Sequence, residues 1–325
     1  MKQLADKINE IIVNEVSFGN ELLYGMCADK EGQQWGNASR LADKLWLIGR
    51  AYTASPERRF TTKEKHANDY HGDGTGLFFE KVASNIIRVE SYKNIVSAVK
   101  GLQYLQFDGT GKDFTQLRNG VLCVIKFNAL LKVALQQFDT SQSANHKEKE
   151  YKNHISFCSK FLHFHAQYSI FILDYFTEEG AKTLVESCCR QPWVLKDITL
   201  GDEVCKPLFE LFKRLLNYKQ IDELILNIKD EKEKEWAKRY YLHSVREYAI
   251  GCFIKDKVCF NPKVYMPHLV DSVCQQVRKV DNNVLSLKFG NKVQTIGNHA
   301  FFGLNLITSI IVPNSVISIG ISAFA

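Results

Sequence analysis

Apolar positions over the first 280 residues recur mainly at helical spacing, three or four apart. MKQLADKINEIIVNEV reads as an amphipathic helix. In ASRLADKLWLIGRAYTASPERR, Leu41, Leu45, Ile48 and Tyr52 share a face, with Ser39 as the N-cap. GLFFEKVASNIIRVESYKNIVSAVKGLQYL reads as one or two helices. DFTQLRNGVLCVIKFNALLKVALQQF reads as a long buried one, followed by an exposed loop, DTSQSANHKEKEYKN. Further helices are expected at TEEGAKTLVESCC with Thr177 as cap, at PLFELFKRLLNYKQIDELILNI, at EKEKEWAKRYYLHSVREYAIGCFI and at NPKVYMPHLVDSVCQQV.

From about residue 283 the period changes. NVLSLKFGNKVQTIGNHAFFGLN aligns with LITSIIVPNSVISIGISAFA at a fixed offset of 23 residues, pairing Val293 with Val316, Ile296 with Ile319, Gly297 with Gly320 and Phe301 with Phe324. A short fixed period with β-branched alternation marks a stacked-repeat architecture, in which no unit buries its apolar face alone. The pattern I-x-x-I-x-V-P-N-S-V-x-x-I-G-x-x-A-F resembles the BspA-type leucine-rich repeats over residues 284–325. That resemblance implies a β-rich solenoid of about two units, incomplete, with a protein partner for the tail. The last unit breaks off at AFA, without the polar cap such stacks carry, so a truncated reading frame with further repeats is expected. The expected organisation is a 1–280 all-helical domain followed by repeats at 283–325.

Composition changes this picture little. Of 325 residues, 45% are hydrophobic and 24% charged, which suits a globular chain with a sizeable core. A formal charge of +6 permits nucleic-acid binding without requiring it. Nine cysteines, odd in number and without a C-x-x-C pair, argue against a zinc ribbon and a disulfide framework. They read as buried thiols of a reducing compartment. The N-terminus lacks the apolar core of a signal peptide, and no run of 18 apolar residues is present, so a cytoplasmic location with no membrane contact is expected. No cofactor and no metal is expected.

The chemistry of interest lies in CSKFLHFHAQYSIFILDYF, Cys158 to Phe176. It sets Lys160 at the head of an apolar run and Asp174 near its end. On spacing alone, Lys160 is a snorkelling lysine and Asp174 the cap of a helix beginning near Phe176. The order of elements supports a second reading: helix, short hairpin at HISFCSK, lysine, helix, apolar loop, aspartate, helix. This order resembles the helix-hairpin-helix DNA glycosylase superfamily, particularly the group related to 8-oxoguanine DNA glycosylase. The resemblance implies a mainly α domain, DNA as partner, Lys160 as a nucleophile on the sugar carbon of a flipped nucleotide, and Asp174 as the carboxylate that stabilises the cationic transition state. It also makes the hairpin, Ser156 to Ser159, a phosphate contact, with Ser159 the candidate residue, although no glycine stands there. An amine attacks only when neutral, and Phe157, Phe161 and Phe164 supply an apolar setting for one.

Other motifs carry less. His163 and His165 form an H-x-H pair that a helix points apart. HGDGTG, His71 to Gly76, lacks the G-K-[ST] ending of a phosphate loop and reads as a loop leading into a helix, and Asp73 has no carboxylates at metal-loop spacing. Arg50, and Arg58 and Arg59 beyond a proline break, are either ion-paired or phosphate contacts. EKEKEWAKRYYLHSVRE reads as a solvated helix face. Three functions are open: a glycosylase-like nucleic-acid-binding protein, with activity intact or degenerate; a non-enzymatic scaffold; and an intracellular effector or defence protein.

Overall fold

A computed structural model describes residues 2–15, 18–28, 34–51, 74–140, 153–166, 168–187, 193–195, 198–257, 266–279, 286–300 and 309–324. The chain separates into two compact units, a large one ending at Arg278 and a small one beginning at Lys279. The large unit is mainly helical. Its helices are α1 (Lys2–Glu15), α2 (Phe18–Cys27), α3 (Ala38–Ala51), α4 (Gly74–Ile87), α5 (Glu90–Lys100), α6 (Gly111–Thr140), α7 (Ile155–His165), α8 (Tyr175–Lys182), α9 (Asp202–Leu215), α10 (Tyr218–Ile225), α11 (Glu231–Lys257) and α12 (Met266–Gln276). A 3-10 turn lies at Gln34–Gly36 and a π-helical turn at Thr183–Ser187.

α6 is the axis of the unit. Val121, Val124, Phe127, Leu131, Ala134 and Leu135 are buried at helical spacing, and α4, α5, α7 and α11 pack around them. By length and composition alone this helix is apolar enough to cross a membrane, and here its apolar face lies in the protein core. Phe127 stacks on Phe161 of α7 with ring centroids 5.0 Å apart, which ties α7 to the axis.

Several expectations change. The unit is not all-helical: three short strands, β1 (Trp193–Leu195), β2 (Ile198–Leu200) and β3 (Val277–Lys279), form a sheet in the order β2-β1-β3, with β1 and β2 antiparallel. The hairpin expected at HISFCSK is absent. Ser156, Phe157, Cys158 and Ser159 lie inside α7, so Lys160 sits in mid-helix. Two asparagines make this start possible by accepting from N–H groups that a helix end leaves orphaned: Asn153 Oδ1 from Ile155 N at 3.0 Å and Asn128 Oδ1 from His154 N at 2.8 Å. Asn37, not Ser39, caps α3, accepting from Arg40 N at 3.1 Å. PLFELFKRLLNYKQIDELILNI breaks into α9 and α10 at Leu216–Asn217, where Asn217 caps the second helix. The mixed-charge stretch of α11 is a solvated face only in its first half: Glu231, Lys232, Glu235, Lys238 and Arg239 are exposed, whereas Tyr240, Tyr241 and the run His243–Glu247 are buried.

The small unit carries four short strands: β4 (Ser286–Lys288), β5 (Thr295–Ile296), β6 (Ser309–Ile311) and β7 (Ser318–Ile319). β4 pairs with β6 and β5 with β7, both parallel, and the partners in each pair stand at the 23-residue offset of the sequence alignment. His299 and Ser322, equivalent under that offset, both adopt left-handed φ, 54° and 49°. Between the copies, Gly320 N donates to Ile296 O at 2.8 Å, and Ile321 N donates to the Asn298 side chain at 2.8 Å. A Cβ on Gly320 would run into Asn298, so only glycine lets the copies approach this closely.

Candidate functional site

The residues from Ile170 to Asp174 form no regular structure, yet Ile170 to Leu173 are buried. Buried backbone polar groups outside helix and sheet need partners, and here side chains supply them. His163 Nδ1 donates to Ile170 O at 2.6 Å, Tyr240 OH to Phe171 O at 2.8 Å, and His243 Nε2 to Ile172 O at 2.8 Å. Leu173 N donates to Ser159 Oγ at 3.0 Å, and Asp174 N to Thr177 Oγ1 at 3.0 Å. Side chains from α7, α8 and α11 thus hold an extended segment in place of a sheet neighbour, and that segment ends on Asp174.

Asp174 caps α8. Its Oδ1 accepts from Thr177 N at 2.9 Å, and Thr177 answers with its hydroxyl, which completes a capping box. Thr177 is therefore the third helical residue of α8, and Asp174 holds the cap position expected of it. The other carboxylate oxygen, Oδ2, lies 3.3 Å from Lys160 Nζ. Lys160 is 4% exposed, and the Asp174 side chain 20%. The two residues share an ion pair across 14 positions of sequence, with Phe157 one turn before Lys160 and Phe164 one turn after it on α7.

A second pair of charges adjoins this one. Glu247 of α11 and Asp271 of α12 are fully buried and face each other. The donors beside them are the Cys274 thiol at Glu247 and the backbone of Ile172 at Asp271. Neither makes a bond of ordinary geometry, so all four carboxyl oxygens are without one. Two buried carboxyls so placed disfavour ionising together. Burial, and then each other's charge, push Glu247 up; burial foremost holds Asp271 well above the usual carboxylate range. Close approach of α8 to α12 assembles this corner. A Cβ on Gly180 would run into the carbonyl oxygen of Cys274, one turn beyond Asp271.

The neighbouring histidines are held neutral. Burial, then His268, pushes His163 down to about 3, and burial pushes His243 and His268 down to about 4. His163 Nε2 accepts from Tyr24 OH at 2.6 Å, while His165 Nδ1 turns to Phe161 O at 2.8 Å, so the H-x-H pair diverges. Among the described residues no cluster of three metal-ligating side chains occurs. The described cysteines, Cys27, Cys123, Cys158, Cys205, Cys252 and Cys274, are all buried.

The remaining candidates are dispersed. Ser159 is buried and clamps Leu173, and its hydroxyl donates to Ser156 O, so a phosphate does not reach it here. Arg50 sits half-buried in the last turn of α3. Arg58, Arg59, Asp73 and the first half of HGDGTG lie outside the described residues, and its second half, Gly74 to Gly76, begins α4. Two described cavities, of about 380 and 330 Å³, have neither Lys160 nor Asp174 on their walls. Beside Asp174, however, Tyr175 and Phe176 are 71% and 60% exposed, with ring centroids 5.5 Å apart.

Sequence reasoning missed Glu247, Asp271, Tyr175 and Phe176. An acid four residues after His243, following two tyrosines, and an acid inside HLVDSVC were the available signals for the buried pair. Comparison with known proteins finds no match: no family model, no curated protein and no solved structure.

Proposed function

We propose that the helical unit acts on DNA as a glycosylase-like protein, with Lys160 as nucleophile and Asp174 as the carboxylate beside it. The observation that carries this reading is the 3.3 Å approach of Lys160 Nζ to Asp174 Oδ2 inside an apolar, aromatic setting. An amine and an acid so placed are the two groups needed to attack a sugar carbon and to offset the positive charge that develops there. Tyr175 and Phe176 add a stacking surface for bases next to Asp174, of the kind that single-stranded or extruded nucleotides use.

The small unit, in this proposal, is a short stack of BspA-type leucine-rich repeats that docks a protein. The parallel pairing of β4 with β6 and β5 with β7 at the repeat offset supports the stack. Ile311, Ile317, Ile319 and Ile321 are exposed and give it an apolar docking surface.

Borohydride trapping on DNA containing an abasic site tests the nucleophile. The full chain is expected to trap, Lys160→Ala to lose trapping, and Asp174→Asn to trap more slowly by roughly 100-fold. Equal trapping by Lys160→Ala removes Lys160 from the chemistry.

One observation favours a second reading, a scaffold in which Lys160–Asp174 only holds α7 to α8. Lys160 is almost fully covered, and neither described cavity reaches it. A chain that neither traps nor binds abasic DNA, yet unfolds when the pair is broken, fits that reading.

A further inference from the structure

The Lys160–Asp174 pair leaves one step without an agent. A lysine in an ion pair attacks nothing until its proton leaves, and Asp174 already spends one oxygen on the α8 cap. The Glu247–Asp271 pair is the neighbouring group with room for a proton. Its four oxygens lack well-formed donors. It is tied to the same segment as Asp174, since Asp271 lies against the backbone of Ile172 and His243, 3.5 Å from Glu247, holds Ile172 O. The titratable groups whose charges act on it are Lys160 from α7, Asp174 from the segment before α8, Tyr240 and His243 from α11, and Cys274 from α12, with His243 Nε2 3.5 Å from Glu247. The nearest cation in sequence, Arg246, is engaged elsewhere, with its Nε 2.6 Å from Glu186.

We propose that the Glu247–Asp271 pair is the proton store of the site, taking the proton that Lys160 must lose and returning it when water leaves. The proposal rests on Lys160 being a nucleophile. At an abasic site the step balances. Lys160 Nζ gives one proton to the carboxylate pair, and its freed electron pair forms the C–N bond to the sugar aldehyde carbon. The resulting carbinolamine takes the proton back on its hydroxyl, the C–O bond breaks, and water departs to leave an iminium between Lys160 and the sugar. No redox partner is needed. Glu247 and Asp271 touch no substrate and act through Lys160, so they are positioning residues. Burial raises both carboxyls above the usual carboxylate range, which favours holding a proton, as a store requires.

The test uses the full chain with Glu247→Gln and Asp271→Asn combined, which preserves volume and removes both carboxyls. Two readouts apply: the infrared carbonyl band of an un-ionised buried carboxyl, and the rate of borohydride trapping on abasic DNA from mildly acidic to mildly alkaline pH. The wild type is expected to show the band and a nearly level trapping rate through neutral pH. The double variant, checked for cooperative unfolding, is expected to lose the band, trap roughly 100-fold more slowly at neutral pH, and recover as rising pH lets water take the proton. Glu247→Gln alone, the fallback if the double variant does not fold, is expected to shift in the same direction by less. A wild type without the band, or a double variant with the wild-type rate and profile while Lys160→Ala is inert, overturns the store and leaves the nucleophile standing. Trapping that survives Lys160→Ala, or none by the wild type, overturns the nucleophile and the store together.

Discussion

At Asp174 one carboxylate serves two partners, a helix end through Oδ1 and an amine through Oδ2. The two roles separate by substitution. Asp174→Ala removes both, at about 1 kcal/mol for the cap and about 3–5 kcal/mol for a buried lysine left without its partner. Asp174→Asn keeps an oxygen for Thr177 and is expected to be about 1 kcal/mol more stable than the alanine variant in urea unfolding. Adding Lys160→Met to Asp174→Asn should restore most of the remaining loss, because both charges then leave the interior. Gly180→Ala is expected to be costlier than an ordinary overpacking, which runs about 1–3 kcal/mol, since its Cβ meets the Cys274 backbone rather than a side chain that can move. Lys160 and Asp174 were legible in sequence because each stands alone in an apolar run. Glu247 was not: it closes a stretch crowded with charges, EKEKEWAKRYYLHSVRE, where local pattern implies solvent and only packing of α8 and α12 makes it interior.

Among the elements, the irregular segment from Ile170 to Asp174 is the least legible. It was expected as an apolar loop, and it forms no regular structure, but an apolar loop sequence says nothing of which groups will satisfy the backbone. Those groups come from His163, Ser159, Tyr240 and His243, on two different helices. Ser159→Ala is a direct probe of this clamp. It leaves Leu173 N buried without an acceptor, at about 1–3 kcal/mol by chemical denaturation. It should also slow trapping, because the segment that aims Asp174 loosens, whereas a phosphate contact would register in the salt dependence of DNA binding. The helix-for-hairpin change at Ser156–Ser159 has its cause in Asn128 and Asn153, whose side chains cap a helix start that composition alone does not reveal. In the small unit, the parallel strand pairs stand at the same 23-residue offset as the sequence alignment. Gly320→Ala is expected to part β5 from β7 and to lower the small unit's protection against amide exchange, with the helical unit unchanged.

Across the whole molecule, the buried ionisable groups set opposite pH slopes. His163, His243 and His268 are neutral when folded, with values of about 3, 4 and 4, against 6.5 when unfolded. Their depressed values give stability that is complete above 6.5 and is lost as pH falls toward 4. The Glu247–Asp271 pair works the other way. Its raised values mean that the folded chain holds a proton the unfolded chain has released, so stability falls with rising pH, by about 1.4 kcal/mol per pH unit, until the pair ionises. A stability maximum near the unfolded histidine value follows, with decline on both sides. Glu247→Gln with Asp271→Asn should abolish the alkaline decline and leave the acid limb, as read by thermal unfolding over a pH series.

The most direct measurement is the site of attachment itself. The full chain is trapped with borohydride on abasic DNA, digested with protease, and the peptide carrying the sugar remnant is sequenced by mass spectrometry. The expected adduct is on Lys160. An adduct on any other lysine, with Lys160 unmodified, contradicts a nucleophile held beside Asp174.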